Sequence, residues 1–210
     1  MKAKQKSRNN FCPARKNPFA SEHLEKIQYR FSDASLTFLQ KQFVALGNRA
    51  AIVGPEGHGK TTLQKELASA ISPSQIGWIK LREGDRKIPR SFLQEVFSQA
   101  GPNDLICVDG AEQLSWWNWK KFLRQLGKDQ RCLITSHRQG LLPTLIKCKT
   151  SASLLADLVA ELTSTPDAAQ QKELELIFKK HRGDIRRSIR ELYDRCSNGA
   201  WPASSSETLM

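Results

Sequence analysis

A chain of 210 residues and 23.7 kDa, 39% hydrophobic and 26% charged, has the composition of one generous globular domain or a core with a small satellite, which excludes a disordered or fibrous protein. No run approaches the roughly 18 apolar residues of a membrane span, and the first sixteen residues hold no apolar block of the secretory kind. The formal charge of +12 is concentrated: residues 1–21 carry six cations and no acid, residues 120–149 carry eight cations against Asp129 alone, and the rest is close to neutral.

Residues 1–16 read as a basic, disordered tail. Asn17-Pro18-Phe19 begins an ordered linker, with Leu24, Ile27 and Phe31 at helical spacing. Leu36, Leu39, Phe43 and Leu46 continue that spacing, with Asp33 or Ser35 as caps and Gly47 as the stop. Short apolar runs then alternate with helical stretches. Strands are expected at Ala50–Val53, Trp78–Leu81, Leu105–Val108, Cys132–Ile134 and Leu145–Cys148. Helices are expected at Thr61–Ile71, Phe92–Ala100 and Trp116–Leu126. That alternation implies parallel βαβ units with helices on both faces of a sheet. From Ser151 onward the pattern is helical only, with stretches around Leu154–Leu162, Leu174–Phe178 and Ile185–Leu192, and the end of the chain reads as frayed. Five dispersed cysteines (Cys12, Cys107, Cys132, Cys148, Cys196) lack zinc spacing and read as reduced thiols, which fits a cytoplasmic protein.

Gly54-Pro55-Glu56-Gly57-His58-Gly59-Lys60-Thr61 fits GxxxxGK[ST], entered by an apolar strand and left by a helix. Glycines let such a loop wrap a phosphate with its backbone N–H groups, at the positive end of the following helix. Lys60 is placed to reach the β- and γ-phosphates, the Thr61 hydroxyl to hold Mg²⁺, and Thr62 continues the same turn. Leu105-Ile106-Cys107-Val108-Asp109 supplies the acid such a site needs, so Asp109 is the second candidate for the metal. Gly110 stands where many hydrolysing ATPases carry a glutamate. Glu112 is the next acid, either a general base or a solvated helix cap. No NKxD sequence for guanine follows, so the expected nucleotide is ATP.

The fourth strand runs into Thr135-Ser136-His137-Arg138. If it lies between the strands of the P-loop and of Asp109, its tip faces the γ-phosphate. Thr135, Ser136 or His137 could then sense the nucleotide, and Arg138 is either a stabiliser of transferred charge or an ordinary surface arginine. Downstream, Gly183-Asp184-Ile185-Arg186-Arg187-Ser188-Ile189-Arg190-Glu191-Leu192 resembles the GDhRRAhxxL segment of AAA+ ATPases, especially clamp loaders and origin-recognition proteins. The resemblance spans about residues 46–196. With DGxEQL, TSHR and LPTL, the chain also looks like a group of bacterial P-loop ATPases whose likeness carries no substrate. The resemblance implies an α/β P-loop NTPase with a five-stranded parallel sheet over 48–150 and a three-helix lid over 151–197. The segment 17–47 would precede the core and 198–210 would trail the lid. It also implies that Arg186 contacts bound phosphates, and that ATP and Mg²⁺ are the cofactors. Two departures stand out: no glutamate follows Asp109, and no arginine-finger motif is evident apart from Arg138.

Ser115 caps a helix beginning Trp116-Trp117-Asn118-Trp119-Lys120-Lys121. Trp116, Trp119, Leu123 and Leu126 share a face and read as core. Trp117 falls with Lys121 and Arg124, where it either stacks on an unpaired base or covers a neighbouring loop. The two basic blocks, 1–21 and 120–149, suit a polyanion, with DNA favoured over RNA, and a protein partner or a second copy as further possibilities. The expected activity is ATP hydrolysis in work on DNA or a DNA-bound complex. The alternatives are a nucleotide-gated switch with little turnover and a small-molecule phosphotransferase.

Overall fold

A computed structural model describes residues 12–31, 34–99, 101 and 104–201. The chain divides into two units: Gln28–Lys149, and the described residues of Met1–Ile27 together with those of Thr150–Met210. In chain order the elements are α1 (Ser21–Leu24), α2 (Leu36–Ala45), β1 (Arg49–Val53), α3 (Lys60–Ala70), β2 (Ile76–Lys80), α4 (Arg90–Gln99) and β3 (Leu105–Asp109). There follow α5 (Trp116–Gln125), β4 (Arg131–Ser136), β5 (Thr144–Lys147), α6 (Ala152–Leu162), α7 (Ala168–Lys180) and α8 (Ile185–Ser197).

The larger unit is a five-stranded, all-parallel sheet in the order β2-β3-β4-β1-β5. A parallel sheet covered on both faces has strands that read as unbroken apolar runs, as Ala50–Val53 and Leu105–Val108 do. Successive side chains point to opposite faces. Ala50, Ile52, Leu105, Cys107 and Leu133 therefore join Leu39, Phe43, Leu63 and Leu67 in one apolar layer. Ala51, Val53, Ile106, Val108 and Ile134 join Leu93, Trp119, Phe122 and Leu126 in the other. Ser35 caps α2 by accepting from Phe38 N at 3.2 Å; its alternative, Asp33, lies outside the described residues.

One core assignment is corrected. Trp119 and Leu126 are buried and Leu123 is partly so, but Trp116 is 58% exposed. The buried set is Trp119 and Phe122 on α5, with Leu126 immediately after its end. At 3.6 residues per turn its centre lies roughly a quarter turn away from Trp116. Trp116 flanks the core and is covered instead by Lys120, whose Nζ sits 4.5 Å from the ring centroid.

The smaller unit is helical. Ser151 caps α6, Asp167 and Gln170 form a reciprocal capping box on α7, and Asp184 caps α8. Its core gathers Leu155, Val159, Leu174, Ile177, Ile189, Leu192 and Cys196. Two readings at the chain ends change here. Cys12 and Phe19 are buried in this core, so the ordered chain begins before Asn17. The rest of the basic tail, residues 1–11, lies outside the described residues. Asn17 anchors the segment: its Nδ2 donates to Tyr193 O at 2.9 Å and Ser197 Oγ at 3.0 Å, and its Oδ1 accepts from Phe19 N at 3.0 Å. At the other end Trp201 is buried rather than frayed, because burying a large ring outweighs the ordering of a short polar link. Residues 202–210 lie outside the described residues. Ile27 and Phe31 do not extend α1, which ends at Leu24. They fall in different units and serve different cores.

On the same unit Glu191 accepts from Lys180 at 2.8 Å and Arg195 at 2.6 Å, and meets His181 Nε2 at 2.6 Å. These bonds, Lys180's first, hold its carboxyl down from the ordinary 4.5 to about 2. A carboxylate with a depressed folded-state value stabilises the fold fully above its unfolded value, and that contribution disappears as pH falls from about 4.5 through about 2. Glu191→Gln should therefore lower the melting temperature at pH 7 and make little difference near pH 2. Melts of the full chain at both pH values check this.

Candidate nucleotide site

The P-loop leaves β1 and enters α3 at the carboxyl edge of the sheet. Gly59 is the N-cap residue of α3, at φ 76°, and no side chain caps this helix end. A Cβ on Gly59 would also stand 3.0 Å from Tyr29 Cε2. Position 59 thus favours glycine by its backbone conformation, and a Cβ there would also have to displace the neighbouring ring by a few tenths of an ångström. Gly59 itself offers no side-chain acceptor to the first turn of α3, and a helix start preceded by glycine is an arrangement that suits anionic oxygen.

Lys60 is buried, with Nζ donating to Pro55 O at 2.7 Å across the loop. Thr61 Oγ1 lies 3.1 and 3.2 Å from the two oxygens of Asp109, the last residue of β3. Thr135, on β4, donates to Asp109 Oδ1 at 2.6 Å and accepts from Gly110 N at 2.9 Å. Thr61, Asp109 and Thr135 therefore form one cluster of hard oxygen donors, contributed by α3, β3 and β4. Such a set fits a magnesium ion, and Thr61 and Asp109 are the residues that would hold it. The sheet order makes the cluster possible, because β4 lies between β1 and β3.

Glu112 follows in a short 3-10 turn, Ala111–Gln113. Its side chain is 11% exposed, with Oε1 3.5 Å from His137 Nδ1. Its Oε2 is buried and has no hydrogen-bond partner among the described residues. A buried carboxylate oxygen without a partner is costly unless a ligand or water meets it. Gly110 explains why the acid is not nearer to Asp109. At φ 79°, with Leu81 O 2.9 Å from any Cβ, that position excludes glutamate.

The remaining candidates are placed less centrally. Ser136 is tied to the turn after β4: its hydroxyl donates to Arg138 O at 2.7 Å and accepts from Arg138 N at 3.0 Å, while its carbonyl accepts from Gly54 N at 3.1 Å. Arg138 itself is exposed, as are Thr62, Pro55 and Glu56, whereas Gly54 is buried and Gly57 and His58 are half-buried. His58 Nδ1 lies 2.8 Å from Glu56 O. Arg186 is an exposed residue in the first turn of α8, in the helical unit. Tyr29 and Gln64 are neighbours that the motifs did not announce. Burial pushes the Tyr29 phenol above its ordinary value, with the Cys148 thiol hydrogen-bonded to it. Gln64, fully buried, donates to Val108 O at 3.2 Å and Leu133 O at 2.8 Å, joining α3 to the two strands that carry Asp109 and Thr135. Its place one turn beyond Lys60 was the only available signal.

No protein-family model matches the chain. The phosphonates import ATP-binding protein PhnC 1 of Pseudomonas syringae pv. syringae is 48% identical over 52 residues, covering 24% of this chain and 20% of that protein. The beta-(1→2)glucan export ATP-binding/permease protein NdvA of Bartonella henselae is 33% identical over 94 residues, covering 42% of this chain and 16% of that protein. This chain thus spans a fifth or less of the length of these relatives. Among solved structures, the RuvB Holliday junction branch migration motor of Thermotoga maritima superposes with a TM-score of 0.53 at 19% identity, over 76% of this chain and 58% of that one. A P216G variant of the same motor also gives 0.53, at 16% identity, over 78% and 62%. With its five parallel strands, its P-loop between β1 and α3, and this superposition, the chain has the fold of the AAA+ P-loop ATPases.

Proposed function

We propose that this chain binds ATP with Mg²⁺, hydrolyses it, and couples the cycle to work on DNA or a DNA-bound complex. The observation that carries the reading is the Thr61–Asp109–Thr135 cluster at the head of the P-loop helix. Lys60 and the N–H groups of Gly57–Thr61 would bind the phosphates, and Glu112 would take the proton of the attacking water. Magnesium, when bound, supplies positive charge against the β- and γ-phosphate oxygens. Thr135 links Asp109 to the strand tip that carries Ser136 and His137, giving the nucleotide state a route to the turn at Arg138. Arg186 is proposed to contact phosphate from the helical unit.

The DNA half rests on charge and on the fold's likeness to a Holliday junction motor. The 120–149 block is not a single patch, however. Gly127 and Lys128 meet Arg49 at the amino edge of the sheet, whereas Arg138 follows β4 and Lys147 ends β5 at the carboxyl edge. A six-residue parallel strand separates two groups of cations by roughly 20 Å. One observation favours a second reading, a nucleotide-gated switch with little turnover: position 110 cannot hold a carboxylate.

ATP turnover by the full chain, alone and with single-stranded DNA, duplex DNA and RNA, tests both. Stimulation by DNA is expected; ATP binding without turnover under every condition would leave the switch. Deleting residues 1–11 removes Lys2, Lys4, Lys6 and Arg8 while sparing the buried Cys12. It should weaken DNA binding across sequences and flatten the salt dependence by about 0.9 in log–log slope per lost duplex contact. ATP affinity should not change; an unaltered salt slope would take the tail out of the DNA contact.

A further inference from the structure

Trp117 is 81% exposed, the most exposed large apolar side chain among the described residues, and its neighbour Trp116 is 58% exposed. Single exposed hydrophobics are ordinary, but two adjacent indoles on one helix leave a large apolar area in water. Around the helix at 100° per residue, the solvent arc of α5 reads Trp116, Lys120, Arg124, Trp117, Lys121, so that rings and cations interleave. Among the described residues no carboxylate pairs with Lys120, Lys121 or Arg124, and no acid occurs on α5. Lys120 already covers Trp116. Among the described residues Trp117 has no such cover, and at 81% exposure it shields no described loop. The adjoining turn is fixed: Arg86 O accepts from Ser115 N at 3.1 Å and from Asn118 Nδ2 at 2.8 Å, which holds a further exposed cation-bearing residue beside the first turn of α5.

We infer that this face of α5 is a base-stacking platform for single-stranded nucleic acid, with Trp117 stacking on an unpaired base while Lys121 and Arg124 meet flanking phosphates. The inference rests on the nucleic-acid half of the function proposed above. Uncompensated cations call for a polyanion, and a ring face calls for a base that is not already stacked in a duplex. A lipid surface fits less well. An interfacial helix presents a continuous apolar stripe, whereas α5 commits its stripe (Trp119 and Phe122, continued by Leu126 past its end) to the core, and cations separate the rings that remain.

The test compares the full chain with Trp117→Ala, Trp117→Phe and Trp117→Leu. Fluorescence anisotropy is read on a thymidine oligonucleotide of about 20 nucleotides and on a blunt duplex of equal length, at low salt, with co-sedimentation on phosphatidylserine vesicles alongside. Trp117→Ala should weaken single-strand binding roughly five- to a hundredfold and duplex binding far less. Phenylalanine should restore most of the loss and leucine should not, because leucine keeps apolar area without a π face. Unchanged melting temperatures show that the variants fold. Equal losses on both nucleic acids, full rescue by leucine, or a loss confined to vesicles would overturn the inference. So would duplex binding by the full chain with single-strand binding indifferent to Trp117, which leaves the broader reading standing. Absence of binding to either nucleic acid would remove both.

Discussion

Lys60→Ala is expected to lower ATP affinity by two decades or more and to abolish turnover, with the fold intact. Lys60 is 8% exposed and stands at the first position of α3, where its ammonium reaches across the loop to Pro55 O at 2.7 Å. Polyphosphate bound here would carry its charge in a partly desolvated cradle of backbone N–H groups. Removing one partner of a buried charge pair costs about 3–5 kcal/mol, since the other charge stays uncompensated. Each 1.4 kcal/mol is about a factor of ten in affinity, so micromolar binding would weaken to between about 0.1 mM and a few millimolar. The hydrogen bond to Pro55 O that the variant loses is worth about 1 kcal/mol, and the variant should still melt cooperatively. Calorimetric titration with Mg·ATP checks it. Micromolar affinity retained in the folded variant would move the nucleotide to another site.

The second large effect is expected at Glu112. Glu112→Gln keeps the shape of the side chain and removes its ability to take a proton. Turnover should fall by about 10²-fold or more while ATP affinity stays near that of the parent chain. The geometry supports this carboxylate because one oxygen is held near His137 Nδ1 at 3.5 Å, while the other is buried without a partner among the described residues. An amide would meet the same pocket with a donor where an acceptor is needed. Single-turnover rates set beside equilibrium binding separate the two effects. Equal rates in the two proteins would assign Glu112 to structure and place the base elsewhere.

The P-loop and the alternation of strand and helix were legible in the sequence because both are local. GxxxxGK[ST] needs only glycine at the loop's special positions and a lysine and threonine one after another, and a strand buried on both faces announces itself as a short apolar run. Asp109 could be singled out as a candidate because the end of such a run is itself a local signal. Tertiary structure alone decided what these residues meet. Periodicity placed Trp116 with Trp119, but the arc a sheet buries depends on how the helix is rotated against it. Here the arc centres on Trp119, Phe122 and Leu126. Cys12, Phe19 and Trp201 lay in stretches too polar to suggest a core; Cys12 and Phe19 are buried because helices far away in sequence offer them apolar surface, and Trp201 joins the same core from just beyond α8. Glutamate is excluded at position 110 by the carbonyl of Leu81, a contact invisible until β2 and β3 pair. Thr135 was one of three equal candidates at a strand tip. The alternation of side chains along β4 turned its hydroxyl, and not that of Ser136, toward Asp109.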